Sequence, residues 1–259
     1  MTLLATLILA LSWTTVAQPK GRGNGPVTCA KAGEGKNMAV LFAGYTGTDK
    51  AVKGWAQGLV GARAFDGLDI GLVYAVPGPK NSGYPLGQRE VPTAKLVEDI
   101  VQRAEENKPG LILVAAHSSG AFVADLMIAQ LAKANPDLLG SVAFFKLDGG
   151  WKPDLTVDMG KKLGAFFCVA ARCGRVSSQN AGGMSSCKNR WKNAKLITVQ
   201  VPKAGCTAGW CCHDAVITTR PHKPHTYDVF NDYTDFKNRP VTTDWIKQAK
   251  PALQKLASQ

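Results

Sequence analysis

At 259 residues and 45% hydrophobic content, the chain can bury one large core, and a single domain is expected. Its 31 Lys and Arg outnumber its 19 Asp and Glu, and the formal net charge of +12 at pH 7 favours anionic surfaces such as phospholipid, acidic polymer or cell wall. The basic residues are scattered and no zinc-finger or RNP-like pattern accompanies them, which argues against specific nucleic-acid recognition; no repeat or low-complexity tract points to a solenoid.

Residues 3–11 are an apolar run too short to span a bilayer but suited to the core of a secretory signal, and Thr15, Val16 and Ala17 before Gln18 resemble a cleavage site. Residues 1–17 are therefore expected to be a signal peptide and the protein to be secreted. No Lys or Arg precedes the run, which leaves a truncated start or a retained amino-terminal anchor as the other readings. No further stretch approaches about eighteen uninterrupted apolar residues, so no transmembrane segment is expected. The cysteines agree with export. Six of the seven, Cys168, Cys173, Cys187, Cys206, Cys211 and Cys212, lie close together; with Cys29 they allow up to three disulfides and one leftover thiol, in a pairing that the spacing does not reveal.

Residues 18–37 mix Gly, Pro and Lys without periodicity and read as an irregular leader, with a single domain over 38–259. Residues 38–42 form a short apolar run, expected to be a central strand that delivers the loop Ala43, Gly44, Tyr45, Thr46, Gly47. Residues 69–76 read as the next strand and 77–85 as a Pro- and Gly-rich loop. Leu96, Ile100 and Ala104 recur every four residues, so 93–106 is expected to be a helix. Residues 111–116 are apolar without alternation, as in a strand buried on both faces of a mostly parallel sheet. Phe122, Leu126, Ala129 and Met127, Gln130, Leu131 then fall at spacings of three and four, which gives the following helix an apolar face. Pro136 ends that pattern, and residues 141–147 form a strand leading to Asp148, Gly149 and Gly150. Residues 151–195, glycine-rich and cysteine-bearing, read as an irregular excursion stapled by disulfide. Residues 196–201 are the last clear strand and 245–256 the closing helix. Such alternation implies an α/β fold with a mostly parallel central sheet and helices on both faces, stabilised by disulfides.

Between the strand at 111–116 and its helix stands Ala116-His117-Ser118-Ser119-Gly120, a small-x-Ser-x-Gly string. The nucleophile elbow needs a first residue small enough for strand and helix to close around a strained serine, and Ala meets that need. The string alone is common; its setting between a buried strand and an apolar helix makes it informative. The rival is a tight turn in which Ser118 only caps the helix. The 43–47 loop, the elbow, and a later acid and histidine together make the chain resemble the α/β-hydrolase superfamily, in its secreted esterase and lipase-like branch.

That resemblance implies the chain order Ser, acid, His, with Ser118 as nucleophile and the backbone N–H groups of Tyr45 and Ser119 as the oxyanion hole. Many members have His-Gly where this chain has Ala43-Gly44, but a backbone donor survives that change. His117 is taken as packing beside the nucleophile. Asp148 is the best acid because it follows Ser118 at the carboxyl end of a strand; its rival is an ordinary Asp-Gly turn, and Asp154, Asp158 and Asp214 are fallbacks. His213 is the preferred base because a disulfide among Cys206, Cys211 and Cys212 could hold its loop rigid. His225 is the alternative base; with His222 it flanks Lys223-Pro224.

Acyl transfer through these groups needs no cofactor and no metal. A zinc site in the Cys and His cluster is the competing reading, weakened because two clean Cys pairs are lacking. The expected function is hydrolysis of a carboxylic ester, presented at an anionic or lipid surface. Alternatives are an amidase or peptidase on the same triad, and a non-catalytic hydrolase-fold binding protein that uses the basic surface.

Overall fold

The computed structural model describes residues 11–18, 24–81, 89–150, 153–178, 181–201, 212–219 and 241–259. Their strands join in one nine-stranded sheet: β1 Trp13–Ala17, β2 Val27–Lys31, β3 Asn37–Phe42, β4 Ile70–Val76, β5 Ile112–His117, β6 Val142–Leu147, β7 Ala165–Cys173, β8 Val176–Ser177 and β9 Lys195–Gln200. The order is β1-β2-β4-β3-β5-β6-β7-β8, with β9 also paired to β7. The helices are α1 Asp49–Gly61, α2 Thr93–Asn107, α3 Gly120–Ala134, α4 Val157–Lys162, α5 Ala181–Arg190 and α6 Asp244–Ala257.

The sheet is mixed, not mostly parallel as expected. β4, β3, β5, β6, β7 and β9 run parallel, while β1, β2 and β8 pair antiparallel with their neighbours. Connection length explains part of this. A parallel pair needs a crossover of about a dozen residues or more, whereas β7 and β8 are separated only by Gly174 and Arg175.

Two apolar layers sandwich the sheet, and each central strand feeds both. From β3, Ala39 and Leu41 join the layer under α1 and α6 with Trp55, Leu59, Trp245 and Leu253. Met38, Val40 and Phe42 join the opposite layer, with Leu96 and Ile100 of α2 and Val123 and Met127 of α3. β5 and β6 divide in the same way, which is why their sequences show no polar alternation.

Several elements depart from the sequence reading. The expected irregular leader contains β2, whose Val27, Cys29 and Ala30 are buried against the sheet. Trp13–Ala17, within the expected signal peptide, lies on the edge of the sheet beside β2. The excursion at 151–195 is largely regular: β7 alone spans nine residues, AFFCVAARC. Helix α1, capped by the Thr48 hydroxyl accepting from the Ala51 N–H, is not among the expected elements, although its buried Ala51, Val52, Trp55, Ala56 and Leu59 have helical spacing. In α3 the buried stripe is Val123, Ala124, Met127, Ile128 and Leu131, while Phe122 and Leu126 are only half-buried. That helix is apolar nearly all round, so more than one stripe could be drawn through it.

Candidate active site

β3, β5 and β6 are neighbours running in one direction, so the loops at their carboxyl ends meet above one edge of the sheet. Tyr45 follows β3, Ser118 follows β5 and Asp148 follows β6. Three non-glycine residues in these loops have left-handed backbones: Thr46 at φ 58°, Ser118 at 53° and Asp148 at 46°. Each such conformation costs on the order of 1–3 kcal/mol, and such strain concentrates at functional sites. At Ser118 the turn between strand and helix requires it. The Ser118 N–H donates to the Leu147 carbonyl at 3.0 Å, which ties the elbow to the end of β6, one residue before Asp148.

The elbow has its expected surroundings. Ala116 is fully buried, and a Cβ on Gly120 would run into the Ala43 carbonyl, so strand, helix and the 43–47 loop close together only around small residues. A Cβ on Gly44 would lie 3.0 Å from the Ser118 Cβ, which places the loop that carries Tyr45 directly against the elbow. Ser118 itself is partly exposed, and Ser119 caps α3, so its N–H lies at the positive end of the helix.

Asp148 and His213, 65 residues apart in sequence, are joined by a short hydrogen bond between Asp148 Oδ2 and His213 Nδ1. Both are buried. Burial alone would lower the His213 pKa, but the hydrogen bond and charge of Asp148, helped by the charge of Asp214, outweigh it and raise the imidazole above its ordinary value. His117 stands next to His213, their ring centroids 4.5 Å apart, and its Nε2–H donates to the His213 carbonyl at 3.3 Å. Burial, and then the charge of His213, hold His117 well below its ordinary pKa despite that bond. Of the two adjacent imidazoles, His213 is therefore the basic one.

The segment carrying His213 is held from several sides. A disulfide joins Cys212 to Cys173 at the end of β7, and a second joins Cys168 to Cys187. Thr242 Oγ1 donates to the Ala215 carbonyl at 2.8 Å, and Ala215, Val216 and Ile217 are buried under the sheet. Cys29 is a buried free thiol, its pKa pushed up to about 11, chiefly by burial.

The fallback acids stand elsewhere or play another part. Asp158 is exposed and paired with Lys161 in α4, Asp154 is half-buried, and Asp214 lies beside His117, with Oδ1 3.9 Å from Nε2. Cys206, Cys211, His222 and the alternative base His225 lie outside the described residues. Sequence reading missed Ser178: its hydroxyl donates to Asp148 Oδ1 at 2.8 Å, from a segment read as irregular, where a serine beside Ser177 carries no signal. It also missed a buried ion pair, Lys146 Nζ to Asp125 Oδ1 at 2.7 Å, which links β6 to α3.

Among the described residues, His117, His213 and Asp214 place potential metal-binding atoms within 4.8 Å of one another. Tetrahedral zinc, at about 2.0–2.1 Å from each ligand, would draw those atoms to roughly 3.4 Å apart. The 3.9 Å between His117 and Asp214 exceeds that, and the His213 Nδ1 is already bonded to Asp148. Cys212, part of the zinc reading, is taken up in a disulfide.

Neither a family model nor a curated protein matches this sequence. Solved structures do resemble it. MGS-M1, an α/β-hydrolase enzyme from a Medee basin deep-sea metagenome library, has a TM-score of 0.56 at 12% identity over 96% of this chain and 98% of its own. Carboxyl esterase 2 from the mycorrhizal fungus Tuber melanosporum has a TM-score of 0.57 at 11% identity over 96% and 86%, and an esterase of Pyrobaculum calidifontis 0.51 at 11% over 97% and 86%. At such identities the likeness concerns the fold: this chain has the α/β-hydrolase fold.

Proposed function

We propose that the protein is a secreted serine hydrolase that cleaves carboxylic esters by an acyl-enzyme route. The observation that carries this reading is the buried Asp148–His213 pair beside an elbow that holds Ser118 with a left-handed backbone. Ester as the substrate class is supported by the esterases among structures of this fold. A leader-like run at residues 3–11 and two disulfides support export. The net charge of +12 supports action at an anionic or lipid surface.

The mechanism uses His213 in turn as base and acid. The His213 imidazole takes the Ser118 hydroxyl proton as the oxygen attacks the ester carbonyl, and Asp148 stabilises the imidazolium that forms. The N–H groups of Tyr45 and Ser119 receive the negative charge of the tetrahedral intermediate. Collapse expels the alcohol, which takes the proton from His213. Water, deprotonated by the same imidazole, then releases the acid and restores Ser118.

A fluorophosphonate probe tests the reading, because it labels only an activated serine. The wild-type chain should be labelled and Ser118→Ala should not. A folded wild type that resists the probe would instead favour a non-catalytic binding protein. Turnover of a p-nitrophenyl ester series of increasing acyl length would then define the substrate.

A further inference from the structure

We propose that Ser178 is a positioning residue for the acid: its hydroxyl, delivered by the β7–β8 hairpin, holds the Asp148 carboxylate in the orientation that serves His213. This rests on the triad reading above. Asp148 is 2% exposed and directs Oδ2 to the His213 ring. Its other oxygen, Oδ1, accepts the Ser178 hydroxyl at 2.8 Å. The direction of that bond follows from the groups around it. The Ala171 N–H donates to Ser178 Oγ at 3.2 Å, and an ionised carboxylate can only accept, so the hydroxyl proton points to Asp148.

Ser178 is itself immobilised. It is 4% exposed, and its N–H donates to the Ala171 carbonyl at 2.9 Å. Two residues earlier in β7, the Val169 carbonyl accepts the Asp148 N–H at 2.7 Å. The same strand ends at Cys173, which is bonded to Cys212 beside the base. One strand and its hairpin thus hold the acid by backbone and side chain, and the base by a disulfide.

The bond has an electronic consequence as well as a geometric one. A donor on Oδ1 draws charge from Oδ2, so it moderates the stabilisation that Asp148 gives to protonated His213. Among the described residues, the other ionisable groups around that ring are Asp214 on its own segment and His117 from β5. Removing the hydroxyl leaves both in place while concentrating the Asp148 charge on Oδ2. The His213 imidazole then holds its proton to higher pH.

The test compares Ser178→Ala and Ser178→Thr in the full chain on a short-chain p-nitrophenyl ester from pH 5.5 to 9, with folding checked by near-ultraviolet circular dichroism. Loss of a hydrogen bond to a charged group should lower the Ser178→Ala kcat roughly 10- to 100-fold and leave KM within about twofold. The acid limb of its kcat/KM profile should move to higher pH, and Ser178→Thr, which keeps the hydroxyl, should recover most of the rate. Should Ser178→Ala fail to fold, Ser178→Cys, a weak donor of similar shape, is read the same way. The low-field NMR signal of the His213 Nδ1 proton, observed without substrate, should also shift. An unchanged kcat in a folded variant overturns the proposal, as does a loss with an unmoved pH profile that Thr does not repair. A wild type that neither labels nor turns over would overturn the hydrolase reading, and this role with it; full wild-type activity beside an equally active Ser178→Ala would overturn only the role of Ser178.

Discussion

Ser118 is the nucleophile of the proposed mechanism, and the turn that holds it is legible in the sequence. A serine between a buried strand and an apolar helix can only be reached by a tight turn, and the structure gives it φ 53°. Ser118→Ala should abolish probe labelling and ester turnover with a native circular dichroism spectrum. Ser119→Ala, which keeps the backbone N–H, should retain labelling; the reverse pattern would put the elbow one residue out of register. For the base, His213→Ala should lower kcat by on the order of 10⁴ or more, since only binding and the oxyanion donors remain. The ring must be neutral to accept the serine proton, and Asp148 and Asp214 raise its pKa despite burial. Activity should therefore climb with pH through an inflection above the ordinary histidine value of 6.5. A kcat/KM profile with its acid limb centred below that value would contradict the assignment. Ser178 was invisible at this scale because a hydroxyl gains meaning only from the carboxylate it meets, thirty positions away.

β7 and β6 do most to assemble the site from separate stretches. The Cys173–Cys212 disulfide spans a sequence separation of 39, and in the chain-entropy model a loop of that length is worth about 4 kcal/mol. Replacing both cysteines by serine should lower thermal stability by that order, and should reduce turnover because the segment bearing His213 is no longer tied to the sheet. Calorimetry with an ester assay checks both; an unchanged midpoint would show that other contacts hold the segment. β6 is fixed to α3 by Lys146 and Asp125, whose side chains are 1% and 0% exposed. Lys146 also donates to the Gly150 carbonyl at 3.2 Å, so the pair steadies the turn that carries Asp148. Lys146→Met removes one charge of the buried pair and should lower stability in chemical denaturation, by up to about 3–5 kcal/mol. Replacing both partners by apolar residues should restore most of that.

At the scale of the whole molecule, charge and the amino terminus bear on where the protein works. An excess of twelve positive charges should draw it to vesicles containing an anionic lipid at low ionic strength, and sedimentation should show that binding lost as salt approaches about 0.5 M. Equal binding to neutral vesicles would point to apolar contact instead. Trp13–Ala17 is claimed twice, as the end of a signal and as the edge strand β1. If export removes it, β2 becomes the sheet's free edge. Amino-terminal sequencing of the exported protein should then read from Gln18; retention of Trp13 would keep β1 in the mature protein.

The sequence by itself determined the central layers and the elbow. Residues 38–42 and 111–116 are apolar at every step and 142–147 at all but Lys146, without polar alternation, so each run reads as buried on both faces, and β3, β5 and β6 appear where those runs lie. Asp148 was marked as an acid by standing at the end of one such run. What the sequence left undecided depends on contacts between distant segments. β2 is only five residues in a stretch of Gly, Pro and Lys that reads as a leader, and it becomes a strand because β4 offers it a ladder. β7 looked irregular amid glycines and cysteines and is fixed by β6 on one side and β9 on the other. The mixed sheet, the pairing of Cys173 with Cys212 and the meeting of Ser178 with Asp148 belong to the same class. Periodicity records which face of a segment avoids water, but it carries no record of which partner covers that face, and only the folded chain supplies one.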